Sequence, residues 1–355
     1  MAMKVPGRRG GDEDPVAAVR RREQAFPVRR KWITPVGFVV VAVLLWWLLR
    51  DEDPAEVWSH IRAANPWLLL LAVAVTTASF PVRAIRWRYL LEPSQQDSPF
   101  RSRFAAVCIG FMTNNLLPRV GEFARAYAYS KREPVTAATA FGTLVVERFL
   151  DAVAILALLL AALASPGFPA DGLPPEVVTG IRLACLFLGV IVIGSLILLG
   201  APERSADAAR RFGRVLLPAS LAEGLASLVQ GFAKGLEAFR GWRLIVPAVL
   251  WSFVVWTMQA LSFWIGFLAF DIRLGYDAAL FTNGSVAFAS LVPTPGFFGT
   301  FHAAIRLSLA DLYGVAEAPA LGFAFGWHLG AFLPITLVGL WYLRSLGVSL
   351  RDVTK

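Results

Sequence analysis

Long apolar runs recur along this chain and are separated by short basic segments. An α-helix needs about 20 apolar residues to cross the hydrocarbon core of a bilayer. In lipid, only helices and closed barrels satisfy all of their backbone hydrogen bonds, so the runs predict an all-α polytopic membrane protein. We expect about six full transmembrane helices, at residues 32–49, 66–85, 135–164, 180–201, 243–269 and 318–344.

The composition agrees with this class and argues against others. Hydrophobic residues make up 57% of the chain and charged residues 17%, which is far from the balance of soluble domains. The net charge of +9 comes from basic residues between the apolar runs, a pattern typical of membrane topology signals and not of nucleic-acid binding. Both cysteines lie inside apolar runs and the three histidines are far apart, so we expect no metal site and no cofactor.

Two further apolar runs, 104–117 and 278–292, are too short for ordinary spans, and each ends at proline and glycine. Lys and Arg concentrate in cytoplasmic loops. Basic residues lie on both sides of the first run, which indicates that both sides are cytoplasmic. This is possible only if the run enters the membrane and returns to the same face. The same rule places the basic C-terminus inside if the second run is also re-entrant. The alternative is that both runs are short full spans, which gives about eight spans.

Each short run lies in the same series of elements: a span, a re-entrant run, a Pro/Gly break, a short amphipathic helix and a second span. The two series have opposite expected orientations, so the sequence predicts an inverted repeat with a binding site near the membrane midplane. The chain then divides into a disordered basic cytoplasmic tail at 1–31, a transmembrane domain at 32–345 with repeat units 66–164 and 243–344, a cytoplasmic amphipathic connector at 202–242, and a C-terminal tail at 346–355.

The first break carries the densest set of polar residues. Pro118 removes a backbone donor and Gly121 permits unusual dihedrals, so the chain can turn there and present N–H groups to an anion. The planar guanidinium of arginine suits phosphate. We therefore expect Asn115, Arg119 and Arg125 to contribute to a phosphate site. The alternative is that both arginines are ordinary topology signals.

A polar stripe runs down one face of the span 135–164. Two threonines, Glu147 and Asp151 follow one another at four-residue intervals, and Arg148 is placed to pair with Asp151. Ionisable residues inside a membrane are costly and are candidates for a functional site. We expect Arg148 to hold phosphate, with Glu147, Asp151 and Glu122 positioning the cations or carrying a coupling proton. A purely structural network is the alternative.

Arg83, Arg86 and Arg88 surround Trp87 near the end of the second span. Long basic side chains next to an indole ring are typical of an interfacial anchor. The alternative function is the recruitment of anionic lipid head groups, for which Arg83 and Arg86 are the candidates.

The second break reads Pro293-Thr-Pro-Gly-Phe-Phe-Gly299, with His302 just after it. His302 is the titratable residue of this segment, and it is a candidate for proton coupling. A packing role is at least as well supported.

Four stretches together resemble the transmembrane domain of the lysylphosphatidylglycerol synthase/flippase family, over roughly residues 34–345. They are RAIRWRYLL at 83–91, GFMTNNLLPRVGEFAR at 110–125, VVERFLDA at 145–152 and PTPGFFG at 293–299. The polar residues named above in the first break and in the span 135–164 fall on the family's polar motif. The second motif departs from the family pattern, because Phe297 replaces a glycine and His302 stands where the family often has Glu.

The resemblance implies a plasma-membrane protein, bacterial or archaeal, and the basic charge of the tail predicts a cytoplasmic N-terminus. It is expected to move a phosphate-bearing phospholipid or isoprenoid lipid between leaflets. Its expected partners are anionic membrane lipids or polyprenyl phosphates. We expect no nucleic-acid partner, and self-association into a homo-oligomer is left open. We expect no covalent chemistry and therefore no enzyme. The alternatives are a membrane-embedded transferase that uses a polyprenyl-phosphate donor, with Glu122 or Asp151 as general base, and a non-catalytic assembly subunit.

Overall fold

The computed structural model describes residues 33–50, 53–117, 119–169 and 242–346, together with a few isolated positions between 178 and 211. Several predictions therefore concern residues outside the described part of the chain: the N-terminal tail, the turn at Pro118, the span at 180–201, nearly all of the connector at 202–242, and the C-terminal tail after residue 346.

Regular structure in the described ranges is helical throughout, which confirms the all-α class. The α-helices are α1 (Ile33–Leu49), α2 (Pro54–Ala63), α3 (Pro66–Leu91), α4 (Phe100–Leu116), α5 (Gly121–Ser130), α6 (Ala137–Leu163), α7 (Trp242–Ala269), α8 (Tyr276–Ala289), α9 (Thr300–Arg306) and α10 (Glu317–Ser345). A 3-10 turn (Pro295–Phe297) precedes α9, and a π-helical turn (Leu307–Leu312) follows it.

Three of the described helices, α3, α7 and α10, are long and apolar enough to cross a membrane. α6 is also long, with 27 residues, but it carries three charged residues in its middle. The short runs form α4 and α8, of 17 and 14 residues. At 1.5 Å per residue, α8 is about 21 Å long, which is less than the ~30 Å hydrocarbon core. The re-entrant path of these two runs stays a prediction.

The helices pack as two similar units. The most extensive contact in the described chain joins α3 to α7. α4 packs on α10 in the other unit, and α8 correspondingly packs on α6. Within each unit, α5 contacts α4 and α6, just as α9 contacts α8 and α10. The units thus share an order of elements and a set of contacts, while their opposite orientation in the membrane stays a prediction.

Two of the long helices begin at side-chain caps. Asn65 accepts the backbone N–H groups of Trp67 and Leu68 at 3.0 and 3.2 Å at the start of α3. Thr136 accepts the N–H of Thr139 at 3.1 Å at the start of α6. The first N–H groups of a helix have no partner within the helix, so these caps fix where each helix begins.

Replacing Asn65 with Ala is expected to lower the free energy of unfolding by about 1 kcal/mol, because it removes an acceptor for two N–H groups. Chemical denaturation of the purified protein in mild detergent measures the change. Asn65→Asp keeps an acceptor and is the matched control. An equal loss in both variants would contradict a capping role.

Candidate functional site

Three arginines and two carboxylates form a network where α3, α5 and α6 meet. Glu147 is completely buried, and Arg125 donates two hydrogen bonds to it, of 2.7 and 3.0 Å. The Nη2 atoms of Arg86 and Arg148 lie 3.0 and 2.8 Å from its Oε1 atom. Asp151 pairs with Arg86 and, at 3.0 Å, with Arg148. Both carboxylates are therefore fully compensated, as buried charges must be.

Part of this network follows from helical spacing. The pairing of Arg148 with Asp151, three residues apart on α6, is the one that the sequence predicts. The structure adds Arg125 from α5 and Arg86 from α3. Arg86 is fully buried, so it is not an interfacial anchor.

Arg83 lies on the same helix as Arg86 and is only 5% exposed. Its guanidinium carbon lies 5.1 Å from the ring centre of Phe111 and 5.5 Å from that of Trp256. It forms no hydrogen bond or ion pair with any described residue, and its Nε atom is buried without a partner. A buried charge without a partner costs several kcal/mol, so an anion bound beside this side chain would stabilise it.

Arg83 lines a cavity of about 210 Å³ between the two units. The walls come from α3, α4, α7, α8 and α10 and from the segment around the second break. They are mainly aromatic and aliphatic, with three side-chain amides, and no carboxylate of the described residues lines them. The polar lining consists of Thr76, Ser79, Arg83, Asn115, Gln259, Asn283, Ser290, Thr300 and His328.

Trp256 connects this cavity to the charged network. Its indole Nε1 donates to Asp151 at 2.9 Å, while its ring lies beside the Arg83 guanidinium. Ser252, one turn earlier on α7, accepts from Arg86 at 2.9 Å. The position of the cavity wall therefore depends on the same carboxylate that holds the network together.

The first break turns at Asn114 and Arg119. The Oδ1 atom of Asn114 accepts the backbone N–H of Gly121 at 2.7 Å. Arg119 has a φ of 63°, and its exposed side chain donates to the carbonyl oxygen of Ser290 at 2.7 Å. Ser290 caps the C-terminal end of α8. Arg119 thus joins the first break to the second unit and does not enter the charged network.

Two other predicted residues of the first break lie closer to the cavity or to the network. Asn115 lines the cavity and donates to Thr336 of α10 at 2.8 Å. Glu122, at the start of α5, accepts from Asn114 at 3.4 Å. The structure therefore brings Arg125, Arg148, Glu147 and Asp151 into direct contact, while Asn115 and Arg119 contact the second unit.

His302 lies among aromatic rings. It is completely buried, its ring centre lies 4.1 Å from that of Phe325, and neither ring nitrogen has a partner among the described residues. Its neighbour His328, 5.1 Å away between ring centres, lines the cavity and has an unpartnered Nδ1 atom. This geometry supports packing for His302, and its role in proton coupling stays a prediction.

The sequence-based set of candidates lacks most of the cavity lining, including Trp256, Gln259, Asn283 and His328. Gln259 and Asn283 stand inside predicted apolar runs, where an amide needs a polar partner or a cavity. That signal was available in the sequence. The sequence does not show that these four residues meet Arg83 around one cavity, because that is a property of the tertiary structure.

Comparison with known proteins gives a family and several relatives. The sequence profile described as "Lysylphosphatidylglycerol synthase TM region" matches residues 35–339. The protein named Glycosyltransferase AglD of Haloferax volcanii is 26% identical over 92% of this chain, which spans 57% of that protein's length. A UPF0104 membrane protein of Methanocaldococcus jannaschii is 26% identical, over 82% of this chain and 87% of its own length. One of Pyrococcus horikoshii is 25% identical, over 87% and 95%.

These similarities correct one expectation. The expectation that this chain carries out no covalent chemistry is withdrawn, because a protein that is 26% identical over 92% of this chain is named a glycosyltransferase. That expectation depended on the resemblance to a lipid-flippase family and not on an observation of the site.

Proposed function

The chain belongs to the lysylphosphatidylglycerol synthase transmembrane-region family, and we propose that it binds a phosphate-bearing lipid in its central cavity and moves the head group between leaflets. One observation carries this proposal. Arg83 is a buried cation that forms no ion pair or hydrogen bond with any described residue, and it lines a cavity between two units, where the first break contacts the end of α8. Binding sites of transporters lie at such repeat interfaces.

Phosphate suits this position for two reasons. It supplies the negative charge that Arg83 lacks, and it accepts hydrogen bonds from the guanidinium fork. Arg86, Arg125 and Arg148 already have carboxylate partners, so they are less available to a ligand than the sequence alone indicates. Phosphate binding is accordingly assigned first to Arg83.

Arg83→Gln is expected to weaken the binding of farnesyl phosphate to the purified protein in nanodiscs by at least about tenfold. A hydrogen bond to a charged group contributes roughly 1.5–3 kcal/mol, and 1.4 kcal/mol is a factor of ten. Arg88→Gln is the matched control, because Arg88 lies on the same helix with its side chain 56% exposed. Unchanged affinity in Arg83→Gln would contradict the proposal.

Movement between leaflets needs a separate assay. In proteoliposomes that contain a fluorescent farnesyl phosphate, an impermeant quencher reports how fast the inner-leaflet lipid reaches the outside. The proposal expects protein-dependent exchange that Arg83→Gln slows and Arg88→Gln does not. Binding without exchange would leave a lipid-binding protein and remove the transport step.

A membrane-embedded transferase with a polyprenyl-phosphate donor is the second candidate, favoured by the similarity to the protein named a glycosyltransferase. A general base must be able to accept a proton. Asp151 is held by two arginines and Trp256, whereas Glu122 accepts a single long hydrogen bond from the described residues, donated by Asn114. Labelled product formed from a hexosyl farnesyl phosphate, and lost in Glu122→Gln, would favour this candidate.

A further inference from the structure

Three amide side chains line the cavity with part of their hydrogen-bonding capacity unused. Gln259 accepts from Thr76 at 3.0 Å through its carbonyl oxygen, which leaves its NH₂ group as a free donor. Asn283 donates to the backbone carbonyl of Trp256 at 3.1 Å, and Asn115 donates to Thr336. The Oδ1 atoms of both asparagines accept no hydrogen bond from any described residue. The amide orientations follow from these partners.

Free acceptors are the informative part of this set. A phosphate group at full ionisation has no hydrogen to give, so it can accept hydrogen bonds from Arg83 but cannot donate one to the two Oδ1 atoms. A hydroxyl group both donates and accepts. The Oδ1 atoms of Asn115 and Asn283 therefore match hydroxyl groups next to the phosphate.

The charge of the lining argues against an amine. A lysyl or other ammonium head group needs a carboxylate or an equivalent counter-charge when it leaves water. No carboxylate of the described residues lines the cavity, and Arg83 would repel a second cation. Neutral hydroxyl groups carry no such cost once they are hydrogen-bonded.

The size and the apolar walls also suit a small hydroxylated ring. A volume of about 210 Å³ is below the ~300 Å³ at which drug-sized pockets begin. The rings of Phe263, Phe301, Trp327 and Phe332 form much of the remaining wall. A cavity of this size suits one head group, and its open side lets the rest of a lipid lie outside it.

We infer that the cavity recognises a lipid whose phosphate carries a single sugar, with Arg83 on the phosphate and Gln259, Asn283 and Asn115 on the sugar hydroxyls. This inference rests on the proposed function, because it uses the same cavity and the same phosphate contact. It makes the three amides the residues that determine specificity, whereas Arg83 serves any phosphate-bearing lipid.

The test compares three probes on the purified protein in nanodiscs: farnesyl phosphate, hexosyl farnesyl phosphate and lysylphosphatidylglycerol. We expect the wild-type protein to prefer the hexosyl lipid to farnesyl phosphate by tenfold or more, and to bind the lysyl lipid weakest. Gln259→Met and Asn283→Leu should each remove most of that preference, with less than a twofold change for farnesyl phosphate. Thr257→Val is the matched control, because Thr257 lies on α7 near Gln259 but does not line the cavity.

The outcomes separate the two proposals. Equal affinity of the wild-type protein for the two farnesyl lipids, or a preference for the lysyl lipid, would overturn the sugar inference. If Arg83→Gln still weakened both farnesyl lipids in that case, the phosphate site would stand alone. If Arg83→Gln changed neither, the proposed function would fail as well. The wild-type preference is measured without any variant, so a variant that does not fold leaves the test intact.

Discussion

Replacing Glu147 with Gln is expected to lower the free energy of unfolding by about 3–5 kcal/mol, the usual range for removing one partner of a buried ion pair. Glu147 is completely buried and receives contacts from Arg125, Arg86 and Arg148. Gln keeps the size of the side chain but removes its charge. Arg125, itself 4% exposed, would then have no carboxylate partner among the described residues.

Thermal and chemical unfolding in mild detergent, followed by intrinsic fluorescence, measure this loss. Asp271→Asn is the matched control, because Asp271 pairs with Arg273 on the surface with both side chains more than 80% exposed. Its expected loss is within about 1 kcal/mol. A loss in Glu147→Gln as small as that of the control would show that the network does not hold α5 against α6.

Gly121→Ala is expected to have the second-largest effect, a loss of about 1–3 kcal/mol from overpacking. A Cβ atom at position 121 would collide with the backbone carbonyl oxygen of Gly110 and with the side chain of Asn114. The carbonyl cannot move without displacing α4, and Asn114 cannot move without losing its hydrogen bond to the Gly121 N–H. The closure of the first break therefore depends on the missing side chain.

Gly142→Ala provides a control of opposite sign. Gly142 lies inside α6, and a Cβ atom there would have no neighbour within 4 Å among the described residues. Alanine is the better helix former by up to about 1 kcal/mol, so a small gain in stability is expected. The same unfolding assay compares the two variants, and a gain for both would contradict the steric argument at position 121.

The helices could be predicted from the sequence because their apolar runs are long and interrupted by proline and glycine. The second span is the instructive difference: hydropathy ends it at residue 85, whereas α3 continues to Leu91. The missing turns contain Arg86 and Trp87, both fully buried. Basic residues normally mark the end of a span, but here Glu147 and Asp151 of α6 pair with Arg86 and allow it to be buried.

The candidate site was predictable only where its residues lie on one helix. The four-residue spacing of α6 places Glu147 and Asp151 on one face, and the structure shows them in one network. The partnership of Arg86 with Asp151 joins residues 65 positions apart, and no local pattern encodes it. Arg119 lies at the break in sequence, but its backbone has a positive φ and its side chain contacts Ser290, so it is not part of the charged network of Glu147 and Asp151.

Four arginines, at positions 83, 86, 125 and 148, and three carboxylates, at 122, 147 and 151, interact around the cavity and its network. Among the described residues this difference of four against three leaves one net positive charge on these side chains. A charge that crosses a membrane potential of 100 mV changes energy by roughly 2.3 kcal/mol. On the proposed function a singly charged phosphate would cancel this charge, so a head group that crosses the membrane together with these side chains would carry almost no net charge through the field.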